Sequence, residues 1–154
     1  MQSTMTSKLY DTDFYSWALH QADLLRNEEY ADLDRGNLIE EIEDMAKSQH
    51  RELRSRLVVL LRHLFKLACL PNSAPSRGWR LTVKEQRYQI DELLQVNPSL
   101  RRFVPDLLSE LYAQASDLAM NDLANDDLAG PEAPALSADC PWTAEQILDL
   151  SWWP

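Results

Sequence analysis

Four carboxylates, Glu40, Glu41, Glu43 and Asp44, stand within five positions of the stretch "NLIEEIEDM", residues 37–45. Acids this dense could hold a cation or carry protons. Their spacing argues otherwise. On a helix turning about 100° per residue, Glu40, Glu41 and Asp44 fall opposite the apolar Leu38, Ile39 and Ile42, and Glu43 lies on the flank. Three of the four therefore face water near a helix start, where negative charge is mildly favoured. Glu40 and Asp44 have Lys47 and Ser48 as local partners. A bundle-type metal site needs inward glutamates with Glu-x-x-His pairs on facing helices. His20, His50 and His63 follow Trp17, Lys47 and Leu60 at that spacing, so none belongs to such a pair. No metal ligand set and no cofactor is expected.

Other polar residues are more oddly placed. Gln21 interrupts the apolar stripe of Trp17, Ala18 and Leu25, and Gln86 interrupts that of Trp79, Val83 and Ile90. Arg56 stands one turn before Leu60 on the apolar side, with His63 farther along its edge. A buried amide or guanidinium without a partner costs several kcal/mol in principle. These side chains must find each other, a backbone carbonyl, water or a ligand. Two outcomes are open. Gln21, Arg56, His63 and Gln86 can line a polar pocket walled by Trp17 and Trp79 that takes a carboxylate or phosphate. Alternatively they form a closed network that fixes helix register, which is the favoured reading. No catalytic residue is assigned. Cys69 sits at a helix end where the dipole opposes a thiolate, and no nucleophile motif is present.

The elements that position these residues all read as helices. The stretch "YDTDFYSWALHQADLLR" (10–26) is a first helix, with Asp11 or Thr12 as its cap. A second, long helix opens after Asp34 and runs to "CLPNSAPS" at 69–76, with Leu38, Ile39, Ile42, Met45, Ala46, Leu53, Leu57, Leu60 and Leu64 on one side. From Val58 it is apolar on most sides, so it should form the spine of the core. Ser76 can cap a third helix, and Pro105 fits the first turn of a fourth. Thr143 with Gln146 makes a capping box for a short last one. No strand-like alternation of any length appears. The expectation is an all-α, single-domain helical bundle of five to six helices around one long central helix. Residues 1–9 are expected as a disordered tail, 10–124 as the bundle, and 125–154 as a linker and a short C-terminal helix docking on it.

Composition narrows the function. Three glycines in 154 residues leave little for phosphate-cradling loops. No apolar run approaches the roughly 20 residues of a membrane span, no secretory leader is visible, and the two cysteines lie far apart. A cytoplasmic location follows as the default. Residues 47–102 hold twelve Lys/Arg against four acids, a net of +8, and the remainder holds three bases against 21 acids, −18, together the −10 of the whole chain. A basic block can bind a polyanion, but acidic helices packed beside basic ones cancel the field.

The order of "YDTDFYSWALHQADLLR", "LDRGNLIEEIEDM", "SRLVVLLRHLFKL", "GWRLTVKEQRYQI" and "NPSLR" resembles the bacterial domain of unknown function family 29 over about Leu9 to Ala124, with a looser echo in "CPWTAEQILD". The family pattern falls on Asn37 to Glu43 and on His63 to Lys66. Ala46 stands where the family usually has glycine, and Leu67 where it has tryptophan. The resemblance implies a small helical bacterial protein and carries no activity. The first expectation for function is a protein-interaction or self-associating module, its partner another protein or a second copy. An anion- or small-molecule-binding protein or enzyme using the Gln21/Arg56/His63/Gln86 pocket ranks second. Nucleic-acid binding through the basic middle ranks last, since an acidic chain repels phosphates.

Overall fold

The structure, a computed structural model, describes residues 8–128 and 137–154. Most of the expected tail and the middle of the expected linker lie outside the described residues. Among the described residues there are helices and no strands. After a helical turn at residues 8–12 come α1 (Phe14–Arg26), α2 (Arg35–Cys69), α3 (Ser76–Val96), α4 (Val104–Asn125) and α5 (Ala144–Leu148). Short 3-10 turns cover Tyr30–Asp32 and Pro98–Phe103. The described residues cluster into two compact units, one ending at Ser48 and the other running from Gln49 to Pro154. The division falls inside α2, within the span read from the sequence as one bundle.

The N-terminal unit is a helical hairpin. Asp13, not Asp11 or Thr12, caps α1: its carboxylate accepts from the Ser16 hydroxyl at 2.6 Å and from the Ser16 backbone N–H at 3.0 Å, and the two bonds hold that carboxyl below its usual range. Residues 8–12 make a separate turn, so the cap moves to the break between them. α1 ends with Glu28 in left-handed conformation (φ 62), while the Glu29 N–H reaches back to the Leu24 carbonyl at 2.9 Å. That closure satisfies carbonyls the helix end would otherwise strand, and glycine is its usual residue. The fold of the hairpin centres on Asp34. Its backbone N–H donates to Gln21 Oε1 at 2.8 Å, and its carboxylate accepts from Trp17 Nε1 at 3.2 Å and Asn37 Nδ2 at 2.8 Å. Farther out, the Tyr10 hydroxyl donates to Glu41 at 2.5 Å, a bond that pushes the Tyr10 phenol up to about 12. These cross-links make α1 and the opening of α2 antiparallel.

The second unit holds the core. Leu53, Leu57, Leu60, Leu61 and Leu64 of α2 are fully buried. Around them pack Val83 and Ile90 of α3, Leu111, Ala115, Ala119 and Leu123 of α4, and Ile147 of α5. Cross-helix contacts fix directions. Asn97 Nδ2 donates to Gln49 at 3.2 Å and Arg56 meets Gln86, so α3 runs antiparallel to α2. His50 packs edge-on against Phe103, Arg54 pairs with Glu110 at 2.7 Å and Arg62 with Asp122, so α4 runs parallel to it. Pro75, not Ser76, sits at the cap position of α3 and gives no side-chain bond. Thr143 and Gln146 form the full capping box of α5.

The largest departure from the sequence pattern concerns the stripe of α2. Leu53 onward is buried as expected, but Ile39, Ile42 and Met45 are 57%, 64% and 68% exposed, and Ala46 is exposed too. Buried residues of α2 begin at Leu53, just past the level at which the α3–α4 connection meets Gln49 and His50. The apolar stripe of the helix runs through both units, buried in the second and exposed in the first.

Candidate functional site

The residues singled out from the sequence occupy different settings. Gln21 (1% exposed) and Trp17 belong to the N-terminal hairpin, with their hydrogen bonds closed on Asp34 as described; Gln21 Nε2 is left without a partner. Arg56, His63, Trp79 and Gln86 belong to the second unit. Arg56 and Gln86 do meet, at 3.5 Å, but both are half-buried, not turned fully inward. The guanidinium donates from Nε and Nη2 to Glu52, at 2.9 and 2.8 Å. Its charge is thereby already answered. A hollow of about 270 Å³ beside Glu52 is lined by Gln49, Gln89, Glu92 and Val96 among others, and two carboxylates on its wall disfavour an anion. His63 Nδ1–H donates to the Val59 carbonyl of its own helix at 2.8 Å. Burial, with help from Lys66 and Arg62, pushes its pKa down.

Two charged groups, one buried and one half-buried, lay outside the sequence reading. Arg87 is 2% exposed. It donates from Nε to the Ile147 carbonyl at 2.7 Å, from Nη1 to Trp152 at 2.9 Å and from Nη2 to Gln146 at 3.5 Å, while its guanidinium lies 5.2 Å from the Trp153 ring centre. The last carbonyls of α5 carry the negative end of the helix, which suits a cation there. Arg87 thus ties the C-terminal segment down, and the Arg80 guanidinium also lies over the Trp153 ring, 5.1 Å from its centre. The signal was present. Arg87 stands four residues after Val83 and eight after Trp79, on the stripe itself, one position past the Gln86 that drew attention. The second group is Asp122, bound by Arg62 at 2.6 Å and by Lys66 Nζ at 3.1 Å, with Lys66 also 5.1 Å from the Trp79 ring centre. Hydrogen bonding to Arg62 holds the Asp122 carboxyl down at about 2, with Lys66 adding to it. Partners 56 and 60 residues away leave no local signature.

These clusters are saturated: each charge has its partner, and burial raises the Cys69 and Cys140 thiols, so neither is an activated nucleophile. Among the described residues no three of His, Cys, Asp and Glu are grouped to hold a metal ion, and no helix is long and apolar enough to cross a membrane. Two of the four acids of the opening stretch have side-chain partners. Glu41 accepts from Tyr10, and Lys47 pairs with Glu43 at 3.5 Å in place of the expected Glu40.

The largest uncovered surface is apolar. Among its described residues the N-terminal unit buries only Trp17, Gln21 and Leu24. It exposes Phe14, Tyr15, Leu19, Leu25 and Tyr30 on and after α1, and Ile39, Ile42 and Met45 on α2. Those are eight of the thirteen large apolar side chains left exposed among the described residues.

A family model described as "Domain of unknown function DUF29" matches residues 9–153. The chain belongs to the DUF29 family. One solved structure is similar to this DUF29 chain: an alpha-helical protein of unknown function from Rhodospirillum rubrum, 24% identical, covering 93% of this chain and 90% of its own, with a TM-score of 0.57. That likeness shows the fold, all-α in both. No curated protein matches the chain.

Proposed function

We propose that this DUF29 chain is a protein-interaction module and that its N-terminal hairpin is the contact element. One observation carries the reading: Ile39, Ile42 and Met45 repeat on the open side of a well-formed helix, exposed by more than half. Contiguous apolar surface of this kind marks an interaction site in soluble proteins, and amphipathic helices pair through residues spaced three and four apart. A hairpin of fewer than 50 residues with two buried apolar side chains of its own also gains most from added cover. The polar clusters support the same reading by being closed, since Arg56, Arg62, Lys66 and Arg87 are spent on internal partners.

The test is a photo-reactive amino acid placed at position 42 in the producing cell, with a second at the exposed Ser109 of α4 as control. A discrete adduct from position 42 and none from 109 is expected. No adduct specific to position 42 would remove the reading.

A further inference from the structure

We propose that the occupant of this face is a second copy of the chain, its α2 opening laid antiparallel on the first. The inference rests on the preceding reading and adds the partner. At about 100° per residue, Arg35, Ile39, Ile42 and Ala46 fall within an arc of roughly 60°, with Glu43 beside Ile39. The face is self-complementary under reversal. When Ile39 of one copy lies against Ile42 of the other, the symmetric contact repeats, as a twofold interface demands. Arg35 of each copy then lies opposite Ala46 of the other, one turn from its Glu43. Ala46 is small enough for close approach. Arg35 is exposed and makes no ion pair among the described residues, and Glu43 has only its exposed i,i+4 contact with Lys47. Such surface pairs contribute little and re-form readily. A positive group at one end of an apolar pair and a negative group at the other is the arrangement in which an antiparallel copy supplies both missing counter-charges. A parallel copy would set Arg35 against Arg35. A basic helix from another protein would answer Glu43 and meet Arg35 as a like charge.

The experiment is sedimentation equilibrium of the full chain from dilute to concentrated solution, on wild type, Arg35→Glu, Glu43→Arg and the two combined. The wild type is expected to reach the mass of two chains. Each single reversal sets like charges together and should weaken association by ~10-fold or more, and the combined variant should recover it. Ile42→Glu should hold the chain at single mass. All three substituted positions are exposed, so the fold survives the changes, checked by an unchanged helical circular dichroism spectrum. A single-chain mass for the wild type at the highest concentration overturns the proposal, as does weakening by both reversals without recovery. Adducts from position 42 to a different protein, with the chain itself monomeric, also overturn it and leave the interaction-module reading standing.

Discussion

The long helix α2 carries one apolar stripe and gives it two fates. From Leu53 to Leu64 the stripe is sealed under α3, α4 and α5; from Ile39 to Ala46 it is open to water. On the stripe itself, residue types and spacing do not separate the halves: Ile39, Ile42 and Met45 are as apolar as Leu57, Leu60 and Leu64. The difference lies in what the chain supplies to cover each. Periodicity specifies which side of a helix seeks cover, and says nothing of whether the cover comes from the same chain.

The sharpest way to break this comparison is a truncation in each half. Leu60→Ala opens a cavity in a site with no exposure and should cost about 2–5 kcal/mol. Ile42→Ala in the dilute chain removes contacts with water and should change stability by no more than about 0.5 kcal/mol. Urea denaturation of both variants reads the gap directly, and equal losses would contradict the division. Next in size is the clamp on the C-terminal segment. Arg87→Met strips the carbonyls of Ile147 and Trp152 of their donors and should cost about 2–4 kcal/mol, with a red shift in tryptophan fluorescence as Trp152 and Trp153 loosen. Arg87→Lys cannot reach three carbonyls and stack at once, so it should restore less than half of the loss.

A smaller effect comes with pH. Asp122 is held from 3.8 down to about 2 by Arg62 and Lys66. Its contribution is therefore complete above 3.8 and fades as the pH falls towards 2, where the carboxyl protonates in the folded chain. Asp122→Asn should remove that acid limb of the stability curve and cost about 1–2 kcal/mol at neutral pH, allowing for partial solvent screening. The smallest expected change is a gain. Glu28 sits at φ 62 in the hairpin turn, and Glu28→Gly should stabilise the N-terminal unit by about 0.5–1 kcal/mol through relief of left-handed strain. A calorimetric melt reads the sign.

Much of the fold was legible. The two prolines at 71 and 75, the capping box at Thr143 and Gln146, and the leucine spacing of α2 each set an element that the structure contains. Their signals are local, within one or two helical turns. The site was less legible for the opposite reason. Arg56 and Gln86 were both marked by interrupting a stripe, yet each sits at the edge of its stripe, where half-burial and a neighbour such as Glu52 suffice. Arg87 lies on the stripe, but its purpose depends on carbonyls 59 to 65 residues later in the chain. Asp122 and its two cations are likewise a tertiary product. The exposure of Ile39, Ile42 and Met45 is a fact about tertiary cover that helix periodicity does not contain.

Amide hydrogen exchange along α2, followed from dilute to concentrated chain, tests the central claim most directly. The account predicts that amides of residues 39–47 exchange on the order of 100-fold faster than those of 53–67 in dilute solution, because apolar cover and not the helix itself sets the opening energy. It also predicts that the first stretch gains protection on association while the second does not change. Equal protection of the two stretches in the dilute chain, or no gain at 39–47 when the chain associates, would contradict it.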